Sequence, residues 1–255
     1  MGVKLKSVLQ NQWQARQNQL SLFLKSIIFG SLLAWTAAWD FSLPSLFLFI
    51  LGSVAIYARP LFQNYSTGCA FLVLLPAAIL GMRILEGSTL FWPGIFIFSF
   101  IFHLLAGVKN YFFIKRSRLY YLAALLLFYS IFIEFFLADK SELFWLKYGA
   151  AVFASFLLFL EWLKIISTFS FPKRELVAAG AAAFLVAQIL WAVALLPIGF
   201  ISSANFMLLS TFVLADFLFK HFTGGISREF LIQHLVFFLA LAALIFWSSS
   251  WVLSI

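Results

Sequence analysis

Nine stretches of apolar residues, each about the length needed to cross a lipid bilayer, follow one another with only short connections between them. They cover roughly residues 20–39, 41–58, 67–85, 89–108, 118–138, 144–163, 175–198, 201–221 and 229–251. A spanning helix needs about 20 mostly apolar residues, because ~30 Å of hydrocarbon is crossed at ~1.5 Å per residue. Backbone groups in lipid find no water, so each stretch must close its own hydrogen bonds as a helix. The expected fold is an all-α integral membrane protein, a polytopic bundle of about nine transmembrane helices. Residues 20–255 form its single transmembrane domain.

Composition agrees with lipid as the main solvent. Of the 255 residues, 64% are hydrophobic and 10% charged, where a soluble domain carries about 25% charged residues. A soluble enzyme, a secreted disulfide scaffold and a disordered chain are all excluded. The one cysteine, Cys69, permits no intrachain disulfide and no thiol-rich metal site.

The net charge of +8 would suggest a nucleic-acid partner in a soluble protein. Here it has to be read by position, because Lys and Arg accumulate in cytoplasmic loops. With the N-terminus cytoplasmic and nine crossings, only Arg83, Lys140 and Lys147 of the 17 basic residues fall near the outer face. The C-terminus then lies outside, and the charge is topogenic rather than a nucleic-acid footprint. The lipid bilayer and other membrane proteins are the expected partners, and the cell membrane is the expected location. Most tryptophans, among them Trp35, Trp39, Trp92, Trp145, Trp191 and Trp247, fall at outer span ends, as an interfacial aromatic belt requires.

Residues 1–19 are polar, with Leu5, Leu9, Trp13 and Leu20 recurring at helical spacing. That pattern predicts a cytoplasmic interfacial helix ahead of the first span. The run Ala178, Ala179, Gly180, Ala181, Ala182 and Ala183 permits close helix approach. It predicts a central place for the seventh span, facing Gly149, Ala150 and Ala151 of the sixth.

An ionisable group inside a span is a functional candidate, because unpaired charge in hydrocarbon is costly. Many here have a partner one turn away, such as Arg83 with Glu86 and Glu161 with Lys164. Three are harder to dismiss. His103, Asp216 and His234 lie on different spans at a similar depth, roughly 7–9 Å from the cytoplasmic interface at ~1.5 Å per residue. Two imidazoles and a carboxylate could hold a metal with an open position or relay a proton. The bland reading gives Asp216 to Lys220, four residues along the same helix.

Other chemistries fail on residue type or spacing. There is no HExxH and no GxSxG, so zincin and serine-hydrolase chemistry have no carrier. Cys69 and Arg83 share a span at ~21 Å separation, too far apart for one site. The Gly224–Gly225 pair reads as a tight turn with basic flanks, or as an anion nest. No cofactor is predicted. The expected function is an accessory or structural subunit of a membrane complex, or a small transporter. The alternative is a membrane-embedded enzyme acting on a lipid or lipid-linked substrate at the cytoplasmic leaflet.

Overall fold

The structure is a computed structural model describing residues 2–58, 68–109, 116–138, 144–166 and 172–249, with side chains from residue 19 on except 116 and 172. Among the described residues there are nine helices and no strand. They are α1 (Gly2–Ala38), α2 (Leu43–Ala58), α3 (Gly68–Ile84), α4 (Phe91–Lys109), α5 (Arg116–Leu137), α6 (Phe144–Ile166), α7 (Pro172–Ala194), α8 (Phe200–Thr223) and α9 (Arg228–Ser248). Seven contain stretches long and apolar enough to cross a membrane. The chain is a multi-pass helical membrane protein.

Two elements differ in length from the sequence expectation. Over the described residues α2 has 16 residues and α3 has 17, a rise of about 24 and 26 Å against the ~30 Å hydrocarbon thickness. α1 differs in the opposite sense. Its 37 residues run unbroken from Gly2 to Ala38, so the expected interfacial segment 1–19 is no separate element but the first half of the helix that contains the span Gln19–Ala38. The side chains of Lys4, Lys6, Trp13 and Arg16, and all of Arg59, Lys115, Lys140 and Trp251, lie outside the described residues.

The helices sort into two compact units. The first comprises Met1–Thr67 with Leu74–Tyr120. In it α1 packs against both α2 and α4. Its centre is aromatic: Phe29 lies 4.5 Å from Phe102 in a parallel stack and 5.4 Å from Phe49, and all three rings are fully buried. The approach of α1 to α4 depends on Gly30. A Cβ there would stand 2.4 Å from Ser99 Oγ, an oxygen already held by donation to the Ile95 carbonyl at 2.7 Å.

The second unit comprises Gly68–Val73 with Tyr121–Ile255. α6 packs on α7 and α8, α7 on α8, and α9 on α8. α5 joins α6 through rings, with Tyr121 stacked on Trp162 at 5.3 Å and Phe128 against Phe159 at 5.1 Å. The small residues of α7 serve one face only. Ala179, Ala182, Ala183, Val186, Leu190 and Val193 are buried at the i, i+3, i+4 spacing, while Val177, Phe184 and Leu185 stay exposed. Ala151 of α6 is buried, but Gly149 and Ala150 are not. α7 is therefore a two-neighbour helix rather than the centre of its unit, since small residues permit close approach without requiring it on every side.

The connection between α8 and α9 is the tight turn that the glycine pair suggested. The N–H groups of Gly224 and Gly225 both donate to the Lys220 carbonyl, at 3.1 and 2.9 Å, and Gly225 adopts the left-handed φ of 80° that glycine tolerates without Cβ strain. Ser227 then caps α9 by accepting from the Phe230 N–H at 3.2 Å.

The Gly30–Ser99 contact yields a direct test of the α1–α4 interface. Gly30→Ala should lower thermal stability in detergent by about 1–3 kcal/mol, the usual cost of overpacking. Adding Ser99→Ala removes the clashing oxygen and should restore most of it. A double variant no better than Gly30→Ala would show that the clash is not the cause.

Candidate functional site

Short helices leave backbone groups at their ends without intrahelical partners. For α2 and α3, those ends are met by charged side chains from other helices. Lys109, the last residue of α4, is buried. Its Nζ donates to the carbonyl of Tyr57, next to the end of α2, and lies 4.5 Å from the centre of the Tyr57 ring. Glu161 of α6, only 1% exposed, accepts through Oε2 from the N–H of Ala70 in the first turn of α3. A cation at a helix C-terminus and an anion at a helix N-terminus are the signs that the backbone dipoles favour.

Sequence reasoning missed both caps. It paired Glu161 with Lys164 by their spacing, whereas the carboxylate instead turns to α3. Spacing along one helix carries no signal for these partners, which lie 52 and 91 residues away in the chain.

The three residues singled out by depth fall into two groups. His103 belongs to the first unit, where its Nδ1 lies 3.0 Å from Ser26 Oγ. Ser26 donates its proton to the Leu22 carbonyl at 3.0 Å, so the imidazole Nδ1–H donates to the serine oxygen. His103 closes one end of a groove of about 620 Å³ between α1 and α4, lined also by Phe23, Ser26, Gly30, Trp92 and Phe100.

Asp216 and His234 belong to the second unit and do meet. His234 Nε2 lies 3.3 Å from Asp216 Oδ2, and Tyr121 donates its hydroxyl to Asp216 Oδ1 at 3.4 Å. Asp216 meets His234 rather than Lys220, whose ammonium lies 6.0 Å from the Phe230 ring centre. The other ring nitrogen, His234 Nδ1, faces the Phe230 carbonyl at 3.0 Å. Both nitrogens therefore face oxygens, and a neutral imidazole donates to one of them through its single N–H. The side chains of His234 and Asp216 are 19% and 31% exposed, and His234 lines a groove of about 420 Å³ with Ile189, Ser210, Phe217 and Leu235.

Chemically, the Tyr121–Asp216–His234 cluster can hold and pass a proton, and its phenol, carboxylate and imidazole are groups used in general acid–base chemistry. Among the described residues, no three His, Cys, Asp or Glu side chains come together as a metal-binding group. No family model, curated protein or solved structure matches the chain.

Two sets of substitutions test this geometry. Glu161→Gln keeps an oxygen acceptor and should cost less than ~1 kcal/mol. Glu161→Leu leaves the Ala70 N–H unpaired and should cost about 1–3 kcal/mol. Equal losses would remove the capping role. In a thermodynamic cycle, Asp216→Asn and His234→Ala should couple by about 0.5–3 kcal/mol. The same cycle on His103 and Asp216 tests the three-residue layer, and strictly additive losses would take His103 out of it.

Proposed function

We propose that the protein is a non-catalytic accessory or structural subunit of a complex in the cell membrane, with its N-terminus in the cytoplasm. The observation that carries this reading is α9. Only 6% of its span is buried, with Ala242 its one buried residue. It rests on α8 through one stripe: Phe206 touches Phe238 at 5.8 Å and Phe246 at 5.3 Å, and His234 meets Asp216. The face bearing Ile232, Val236 and Leu239 is exposed and is open to another membrane protein.

The polar groups support the same reading. Lys109, Glu161 and Asp216 all bind other helices of their own units, which fixes helices in place. The proposed sidedness is insensitive to the two short helices, because α2 and α3 are consecutive. Whether both cross or both turn back, α4 begins on the same side. The enzyme alternative rests on Tyr121, Asp216 and His234, and a small transporter would use the same cluster as its proton-handling group.

Mild solubilisation followed by native mass spectrometry tests the proposal. The 29.0 kDa chain should be found in fixed ratio with a second membrane protein, and Val236→Trp with Leu239→Trp should release it. A chain that is alone under every mild condition, or that keeps its partner in the variant, would overturn it.

A further inference from the structure

The end of the second unit where α7 and α9 begin and α8 stops carries a group of cations that its own carboxylates do not answer. Lys173, Arg174 and Arg228 are exposed and Lys220 is half-buried. Among the described residues, none of the four forms an ion pair. Three carboxylates lie on the same helix turns. Glu175 is buried, Asp216 is held by Tyr121 and His234, and only Glu229 is exposed.

The cations are positioned rather than merely close in sequence. Arg174 Nη2 lies 3.2 Å from His221 Nε2, and a guanidinium has only donors, so the imidazole nitrogen is the acceptor. The same guanidinium lies 5.0 Å from the centre of the Phe222 ring. α7 is thereby tied to the end of α8 without its charge being neutralised. The tight turn through Gly224 and Gly225 then sets the start of α9 beside Lys220, whose ammonium lies over Phe230. Each cation is flanked by apolar helix on one side and by the end of a span on the other, which is where a lipid phosphate resides.

We propose that this surface binds the headgroup of an anionic phospholipid, with Arg174 and Lys220 as its principal contacts. Arg174 suits a phosphate because its planar fork presents paired donors, and His221 and Phe222 hold that fork in one orientation. Lys220 adds a mobile point charge, and the exposed Phe219 lies one residue away to face the acyl region. The inference does not depend on whether α9 also docks a protein, since it uses the helix ends rather than the Ile232–Leu239 face.

The test uses the purified full-length chain, delipidated and offered equal amounts of phosphatidylglycerol and phosphatidylcholine, with retained lipid measured by native mass spectrometry. The wild type should retain phosphatidylglycerol preferentially. Arg174→Gln with Lys220→Gln should reduce that preference roughly twenty- to thirtyfold, the loss expected for two interfacial charges. Arg83→Gln with Lys147→Gln, which removes as much charge elsewhere, should leave it unchanged. If the first double variant does not fold, Arg174→Lys keeps the charge but not the fork and should weaken the preference by itself. Equal retention of the two lipids by the wild type would overturn the proposal, as would equal losses in the two double variants. Inorganic phosphate alone should not bind. Binding of phosphate that depends on Arg174 and Lys220 would assign the surface to a free anion and remove the lipid.

Discussion

Every backbone N–H and C=O placed in hydrocarbon must find a partner inside the protein, because lipid offers none. Long helices meet this demand along their length, and it returns only at their ends. Where an end reaches water, nothing further is needed. At one end each of α2 and α3, another helix supplies the group. Lys109 and Glu161 do this with opposite charges at opposite kinds of helix end. At the α8–α9 turn the same demand is met by backbone alone, with two glycine N–H groups on one carbonyl.

Hydropathy made most of the architecture legible in the sequence. An apolar run of about 20 residues has one stable form in lipid, so nine helices could be found, and all but α1 bounded to within a few residues. The start of α2 was not legible, because an apolar flanking residue such as Phe41 reads the same inside a helix or beside it. The unbroken α1 was missed for a related reason. A change from polar to apolar side chains marks where a membrane begins, and nothing requires the backbone to change course there.

Pairing of polar groups was harder to read than position. Spacing along one helix names neighbours at i+3 and i+4, which assigned Glu161 to Lys164 and Asp216 to Lys220. The structure gives these carboxylates to Ala70 and to His234 with Tyr121. Depth can be counted from sequence but azimuth cannot, and azimuth decides which side chains meet across helices. Depth was enough to select Asp216 and His234. It could not find Tyr121, whose hydroxyl completes the cluster and whose ring is packed on Trp162.

The caps on the two short helices also impose an order on assembly. α2 and α3 are synthesised early, yet the partner of α2's last turn lies at the far end of α4, and the partner of α3's first turn lies on α6. Until those later helices have entered the bilayer, each short helix has an end with no protein group to meet it. Two helices that leave the ribosome among the first therefore gain these partners only once α4 and α6 have been made.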